Sequence, residues 1–423
     1  MKPMNNHHRP NRAYRNRGVS LIELMVALAI GSLLVLGLVE VFSASRTAYQ
    51  LSEGLSRVQE NGRFAMDYIQ RDFRMGGHMG CVNDQARFLP ENAVGPRSSL
   101  ASTFLTVPDQ QAENYAGSGA NLVPDALRFD LPVEGYEARN TGSGDTITLA
   151  APAINANVTD WTPNIPFALN TALANRVGNS DILVLRQFSP RGAQVTAFTP
   201  GDPNATIQLA AGQLANLTEE QTNPGLFGIA DCMSAGVFRA TSVTAGGLIT
   251  VTRDGAVNRS AMAGYEPYVP GQAYVYVAET IVYYVGLTSP PAPAPRVPAL
   301  YRLRYTMAPG AAAPAVVREE LVEGIESLQL RYGVDSFAGA AQRPSGNMGG
   351  SEVAGAATPW RRVGLVQVGL LSRSVDPAAT AQRVAGPPLS ALGVTFNPAT
   401  VADGRYRTVY ENSVAMRNRL FGH

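Results

Sequence analysis

An uncharged apolar run near the amino terminus constrains this chain more than any other feature of the sequence. It extends from Leu24 to Val39 and is bounded by two acids, Glu23 and Glu40. The run alone is slightly short for a hydrocarbon layer of about 30 Å, but the apolar residues on either side lengthen it to a workable span. We therefore predict a single membrane-spanning helix over residues 19–42.

A basic leader precedes the apolar run. It contains no acid, and its basic residues are Lys2, Arg9, Arg12, Arg15 and Arg17. An ordinary secretory signal is cut after its apolar core, whereas the only plausible cut here, the small Gly18-Val19 junction, lies before the core. Removing residues 1–18 would change the formal net charge from +1 to −4. Because the leader's charge lies on one side of the apolar segment, we expect the leader to face the cytoplasm.

The residues that follow the leader, Gly18-Val-Ser-Leu-Ile-Glu-Leu-Met25, resemble the class III leader of type IV prepilins and pseudopilins. The resemblance implies that a prepilin peptidase cuts after Gly18 and methylates Val19. It also implies that Glu23, the fifth mature residue, pairs with the terminal amine of a neighbouring subunit, which would lower the cost of burying both charges. The alternative is that Glu23 lies close enough to the headgroups to stay solvated and only marks the edge of the segment.

The helical pattern continues over residues 43–75 with an amphipathic character. One apolar stripe follows steps of four and three through Ala44, Ala48, Leu51, Leu55, Val58, Gly62, Ala65 and Ile69. The first break is Gly76-Gly77, which suits a helix terminus. Many major pilins carry a helix-breaking proline in this region, but none lies between Val19 and Met75, so no kink is implied.

After Gly80 the periodicity changes to two, which predicts strands. The strand candidates are residues 126–131, 145–149, 181–188, 247–252, 273–286, 300–307, 321–335 and 361–371. We predict an α+β fold: a long amino-terminal helix followed by a large β-rich domain of antiparallel strands over residues 76–423. The Gly/Ala-rich segment 337–359 is predicted to be a long exposed loop.

Tyrosines stud the two clearest neighbouring strands, 273–286 and 300–307. They are Tyr274, Tyr276, Tyr283, Tyr284, Tyr301 and Tyr305. Packing across strands is the commoner reason for such a ladder, and glycan binding is the alternative.

Two later blocks narrow the family resemblance. Leu321-Val-Glu-Gly-Ile-Glu runs into Tyr332-Gly-Val-Asp335, and the chain closes on Val414-Ala-Met-Arg-Asn-Arg419. With the leader, these blocks resemble large minor pilins of the PilW type, which are related to the J-type minor pseudopilins of type II secretion.

The resemblance implies a structural subunit of the priming or tip complex of a type IV pilus. Such a subunit waits in the inner membrane with its head in the periplasm and then enters the pilus at the cell surface. Its partners would be the prepilin peptidase, the inner-membrane lipid, other minor pilins, the major pilin and a tip adhesin. A J-type pseudopilin and a membrane-tethered adhesive module remain as alternatives.

The two cysteines, Cys81 and Cys232, suggest one disulfide, because a translocated domain enters an oxidising compartment. The bond would join the end of the long helix to the sheet; two free buried thiols are the alternative.

Catalytic and metal-binding patterns are lacking in the sequence. Behind the leader only His78 and His423 remain, which supports neither a histidine triad nor a zinc pair, and no calcium loop or phosphate loop is recognisable. Arginines are scattered and lysine is nearly absent, so no nucleic-acid face is indicated. We expect no enzyme activity, cofactor or metal.

Overall fold

The computed structural model describes most of the chain. The described residues are 18–81, 100–101, 125–129, 131–219, 221–231, 235–255, 257–258, 262, 268–289, 295–335, 344–355, 360, 363–375, 377, 387–398 and 403–416.

Helices make up the amino-terminal part and a few short connections. The α-helices are α1 (Leu21–Met75), α2 (Phe167–Ala172), α3 (Leu214–Thr218) and α4 (Gly350–Gly355), and short 3-10 helices cover Asp125–Leu127 and Val158–Asp160.

Strands dominate the chain after α1. They are β1 (Leu100–Ala101), β2 (Val133–Ala138), β3 (Thr146–Thr148), β4 (Trp161–Thr162), β5 (Ile182–Thr199), β6 (Asn204–Leu209), β7 (Leu226–Ala230), β8 (Ala235–Arg239), β9 (Ser242–Val243), β10 (Leu248–Thr252), β11 (Tyr274–Leu287), β12 (Pro298–Thr306), β13 (Ala315–Glu323), β14 (Ile325–Asp335), β15 (Pro344–Met348), β16 (Val363–Arg373), β17 (Leu389–Ala391), β18 (Val394–Asn397) and β19 (Arg407–Ala415).

In the described part of the chain these strands form three sheets. The largest has 12 strands in the order β1-β8-β7-β11-β5-β6-β10-β9, with β12 and β13 added beside β11, and β2 and β4 added beside β5. A second sheet has the order β15-β14-β16-β19, and a third the order β17-β18-β3. Two pairings are parallel, β1 with β8 and β3 with β18, and the others are antiparallel. The predicted α+β class, a long helix before an antiparallel β-rich domain, is confirmed.

The predicted end of α1 is also confirmed. Gly76 donates its backbone N–H to Asp72 O at 3.0 Å, and Gly77 adopts a φ of +70°. Only glycine adopts this left-handed conformation without a Cβ penalty, so the glycine pair ends the helix after Met75.

The chain divides into two compact units, Met1–Ser52 and Glu53–His423, and α1 contributes residues to both. In the second unit, the buried face of α1 is formed by Val58, Gly62, Ala65, Met66, Ile69, Asp72 and Phe73. Several of these side chains join the main core with residues of β5, β11, β12, β14 and β16.

The apolar stripe of α1 is therefore buried over a shorter length than its periodicity suggests. Its later members are buried, whereas Ala48 and Leu51 are exposed. A helical period identifies which face is apolar, but it carries no information on how far the covering sheet extends.

Two local predictions are wrong. No strand lies among the described residues of 126–131, which leave out residue 130: Asp125–Leu127 is a 3-10 helix, and Leu131 donates its N–H to Arg128 O, so these backbone groups bond locally. The apparent alternation misleads because Arg128 is as buried as Leu127.

The segment 337–359 is not simply an exposed loop, because it contains β15 and α4. Val353 in α4 is fully buried in the main core. A Cβ on Gly350 would lie 3.2 Å from Glu137 N, so the glycine-rich composition reflects close packing at this point.

Candidate functional site

The first turn of α1 carries the residues that the leader pattern singles out. Ser20 Oγ accepts a hydrogen bond from Glu23 N at 3.2 Å, and Ser20 O accepts one from Leu24 N at 3.1 Å. Ser20 is thus the N-cap and Glu23 the third helical residue, the spacing of a Ser-x-x-Glu capping motif. Gly18 and Val19 lie just before the helix and are exposed.

Nothing in the part of the chain that the structure describes requires glycine at position 18. A Cβ on Gly18 would meet nothing within 4 Å. A side chain would therefore fit, and the need for a small residue must come from something other than the fold of this chain.

The first half of α1 exposes its apolar residues on all sides. Leu21, Leu24, Leu33 and Phe42 are each more than half exposed, as are most apolar residues between them. Ser32 satisfies its hydroxyl by donating to Ala29 O at 2.9 Å, within the helix. Among the described residues, α1 is the one helix that is long and apolar enough to cross a membrane.

The second half of α1 packs closely on the carboxyl-terminal strands. A Cβ on Gly62 would lie 2.2 Å from the Tyr410 ring, so only glycine admits this ring, which belongs to β19. One residue earlier, Asn61 Nδ2 donates to Glu323 O at the end of β13 at 3.0 Å.

One turn before its end, α1 carries a buried acid. Asp72 Oδ2 accepts a hydrogen bond from the Tyr283 hydroxyl at 2.5 Å and lies 3.2 Å from Arg302 Nη1. Arg302 also bonds Glu319 at 2.7 Å, so its charge is shared between two carboxylates. Burial, reinforced by Asp72, raises the pKa of Tyr283, which keeps that hydroxyl protonated as a donor.

Sequence reasoning missed this cluster, although a signal was present. Continuing the steps of four and three from Ala65 and Ile69 leads to Asp72, which places an acid on the buried stripe. A buried acid needs a partner, but its partners Tyr283 and Arg302 are 211 and 230 residues away in sequence.

The predicted disulfide falls partly outside the described residues. Cys81 follows the end of α1, whereas Cys232 is not among the residues that the structure describes. Their neighbours in sequence do lie together: a Cβ on Gly80 would be 2.8 Å from the Cβ of Ala230, the last residue of β7. The disulfide stays a prediction.

Most of the tyrosine ladder is packed inside the sheet domain. Tyr283, Tyr284, Tyr301 and Tyr305 are buried. Tyr284 and Tyr301 are direct cross-strand partners whose rings stack at a centroid distance of 5.4 Å. The packing interpretation is confirmed for these four residues.

The remaining candidates for chemistry are dispersed. His78 lies edge-on to Tyr276, and burial lowers the pKa of its imidazole. His423 lies outside the described residues. In the part of the chain that the structure describes, no group of three or more His, Cys, Asp or Glu residues is arranged to hold a metal ion.

Two family models match this chain. Residues 14–39 match the prokaryotic N-terminal methylation motif, and residues 282–418 match PilW, the type IV pilus-assembly protein W. The resemblance to PilW-type pilins is confirmed. This family consists of structural pilin-type proteins and is not a known enzyme family. No curated protein and no solved structure matches the chain significantly.

The region that matches PilW contains several partners of the second half of α1. Tyr283, Arg302 and Glu319, which surround Asp72, lie within residues 282–418, as does Tyr410, which packs on Gly62. The PilW region therefore supplies a large part of the surface on which this half of the helix is packed.

Proposed function

We propose that this chain is a minor pilin needed for type IV pilus assembly, where it acts as a structural subunit of the priming or tip complex. The observation that carries the proposal is the first half of α1, a long exposed apolar surface with one acid, Glu23, in its first turn. Exposed apolar surface of this extent is unfavourable in water and needs a cover. Lipid supplies it before assembly, and the helices of other pilin subunits supply it afterwards.

Processing is the first step of the proposed function. A prepilin peptidase removes residues 1–18 on the cytoplasmic side and methylates Val19. The fold is compatible with this step because α1 begins at Leu21, so the cut leaves both the helix and its cap, Ser20, intact. In this scheme residues 19–42 span the membrane, residues 43–75 continue the helix, and residues 76–423 form the periplasmic head.

Assembly is the second step. The carboxylate of Glu23 pairs with the terminal amine of an adjacent subunit as the helix leaves the lipid. Losing one partner of such a pair costs about 3–5 kcal/mol when the site is fully desolvated, which is enough to prevent entry into the filament.

The test compares Glu23→Gln with Glu40→Gln in a strain that lacks the wild-type copy. Both residues bound the same apolar run, so both variants should insert in the membrane. Intact-mass analysis should give the same loss of 18 residues for each. Glu23→Gln should be absent from sheared pili and reduce the number of pili per cell, whereas Glu40→Gln should be incorporated normally.

A coupling experiment tests the charge pair directly. Carbodiimide should join Glu23 to the terminal amine of an adjacent pilin subunit, and the linked peptide should be missing with Glu23→Gln. Lys2 is the only lysine of this chain, so after cleavage a crosslink from an amine of this chain to a neighbour's carboxylate can come only from Val19.

Normal piliation and normal incorporation of Glu23→Gln would contradict the pairing mechanism. The first half of α1 would then act only as a membrane anchor. A variant that left pili intact but blocked protein secretion would assign the chain to a type II secretion system instead.

A further inference from the structure

Strand β13 forms the one long free edge of the large sheet in the described part of the chain. The 12-stranded sheet ends at β1, β4, β9 and β13. Three of these end strands have two residues each, whereas β13 has nine and pairs with β12 alone. Short edge strands give other chains little to pair with; a long one is a template for a further strand.

The usual protection of an edge strand is confined to the second half of β13, because its first three residues carry no charge. Proteins guard such edges with outward charges, prolines or bulges. The charged residues begin at Arg318; Arg318 and Glu320 are exposed, and each of the three in the middle of the strand also bonds a neighbouring element. Arg318 donates to Ala172 O, Glu319 binds Arg302 at 2.7 Å, and Glu320 accepts from the Tyr301 hydroxyl at 2.7 Å.

The first half of β13 is also apolar and exposed. Val316 is 40% exposed and Val317 is 45% exposed. Val316 lies opposite Tyr305 and Val317 opposite Arg304, so the two valines lie on opposite faces of the sheet. The bulge between β12 and β13 comes only at the far end, next to Leu321. The backbone of residues 315–320 is therefore regular and can pair with a further strand.

We propose that β13 pairs with an extended segment of a neighbouring pilin-type subunit, which adds a strand to the large sheet. Backbone hydrogen bonds would supply the affinity, and side chains on both faces the specificity. The strand has one arginine and three glutamates, so its occupant should carry apolar residues beside Val316 and Val317 and a basic residue near Glu320. This inference rests on the proposed function, because the shared membrane brings such subunits together at high effective concentration.

A second copy of this chain fits the edge poorly. The strand carries one arginine and three glutamates, a net charge of −2, so two copies of β13 would place mainly like charges beside each other. Like charges opposite each other destabilise a strand pair.

The test uses the full chain in cells that make the complete set of pilus proteins. A photo-crosslinking amino acid at position 317 should capture another subunit with a prepilin-type amino terminus, identified by mass spectrometry. The matched control is position 269, because Val269 is 47% exposed and lies outside the strands. It should give at least tenfold less of the same product.

A double variant, Val316→Lys/Val317→Lys, tests the consequence for assembly. Both side chains are exposed, so the head should fold, and the charges should reduce incorporation into pili at least tenfold. Val269→Lys should be incorporated like wild type. If the double variant does not accumulate, the crosslink at position 317 in the otherwise unchanged chain still decides the matter.

The outcomes separate this inference from the proposed function. Loss of incorporation with Glu23→Gln but normal incorporation of the double variant would overturn the edge pairing alone. A crosslink from position 317 to a second copy of this chain, to a protein without a prepilin-type amino terminus, or to nothing would also overturn it.

Discussion

Asp72 is the residue on which the packing of the second half of α1 most depends. A carboxylate that is 7% exposed is costly unless hydrogen-bond donors and an opposite charge compensate for the lost hydration. Tyr283 and Arg302 supply both. Because the donors sit at fixed positions on β11 and β12, the cluster also selects one axial position of the helix on the sheet.

Two substitutions in this cluster should lower the free energy of unfolding by different amounts, and the larger loss should come from the one that removes a charged partner. Asp72→Ala leaves the buried Arg302 with Glu319 alone and should lower the free energy of unfolding by about 3–5 kcal/mol. Tyr283→Phe removes one hydrogen bond to a charged group and should cost about 1.5–3 kcal/mol. Tyr274→Phe, at an exposed position of the same strand, is the control and should change little. Denaturant unfolding of the detergent-solubilised chain measures all three, and a larger loss for Tyr283→Phe than for Asp72→Ala would contradict this account.

Asp181 is a second buried acid, where the large sheet meets the four-stranded sheet. It accepts hydrogen bonds from Ala138 N and Leu330 N, both at 2.8 Å, and from the Thr141 hydroxyl at 3.4 Å. Burial, with the nearby charge of Glu137, raises its pKa to about 8 despite these donors. The folded protein therefore holds a proton on Asp181 over a pH range in which the unfolded chain has lost it.

This shift predicts a stability that falls as the pH rises from about 4 to 8. The folded state binds more protons than the unfolded state over that window. The contribution of Asp181 to the free energy of unfolding therefore falls by at most about 1.4 kcal/mol per pH unit, and it levels off above pH 8. The lowered pKa of His78 makes stability rise with pH, but only below its ordinary pKa of 6.5. Between pH 7 and 9 His78 therefore adds nothing to the slope, and the effect of Asp181 can be measured separately. Thermal unfolding should give a lower midpoint at pH 8 than at pH 7, and Asp181→Asn should flatten this slope. An equal slope in both proteins would refute the assignment.

At the scale of elements, the sequence predicted what local patterns determine. Helix α1 and the β11–β12 pair follow from periodicity and turn residues over short stretches. The pairing of β11 with β5 and β7 could not be predicted, because alternation identifies the faces of a strand but not its neighbours. The 3-10 helix at Asp125–Leu127 was missed because burial on all sides removes the contrast between the two faces of a strand.

In the candidate site, too, only the residues that lie close together in sequence could be predicted. Gly18, Val19 and Glu23 form a contiguous motif, so the sequence alone was sufficient to single them out. The Asp72 cluster brings together residues of α1, β11, β12 and β13, and nothing in their spacing predicts the contact. The free edge of β13 was equally hidden, since a strand at the edge of a sheet and one in its middle can have the same pattern.

At the scale of the whole molecule, the disulfide is the prediction that would tie distant parts of the chain together. Gly80 precedes Cys81, and a Cβ on it would lie 2.8 Å from the Cβ of Ala230, two residues before Cys232. Non-reducing peptide mapping of the translocated protein should show Cys81 linked to Cys232. The bond would close a loop of about 150 residues, which stabilises a fold by at most about 5 kcal/mol in the chain-entropy model. Cys81→Ser should therefore lower the unfolding midpoint. Cys232→Ser should have the same effect, and the double variant no more than either. Alkylation of both thiols without a reductant would exclude the bond.

The start of α1 at Leu21 has a consequence for the timing of assembly. The unsatisfied N–H groups of a first helical turn give that end of a helix a partial positive charge of about half a unit. In the uncut chain the backbone passes this point as a neutral peptide bond. Cleavage after Gly18 would create a full positive charge beside the partial one, and the two repel each other. A neighbour's carboxylate relieves that repulsion, so the cut itself would switch on the attraction between subunits, and an uncut chain would stay unassembled even where its helix was free to move.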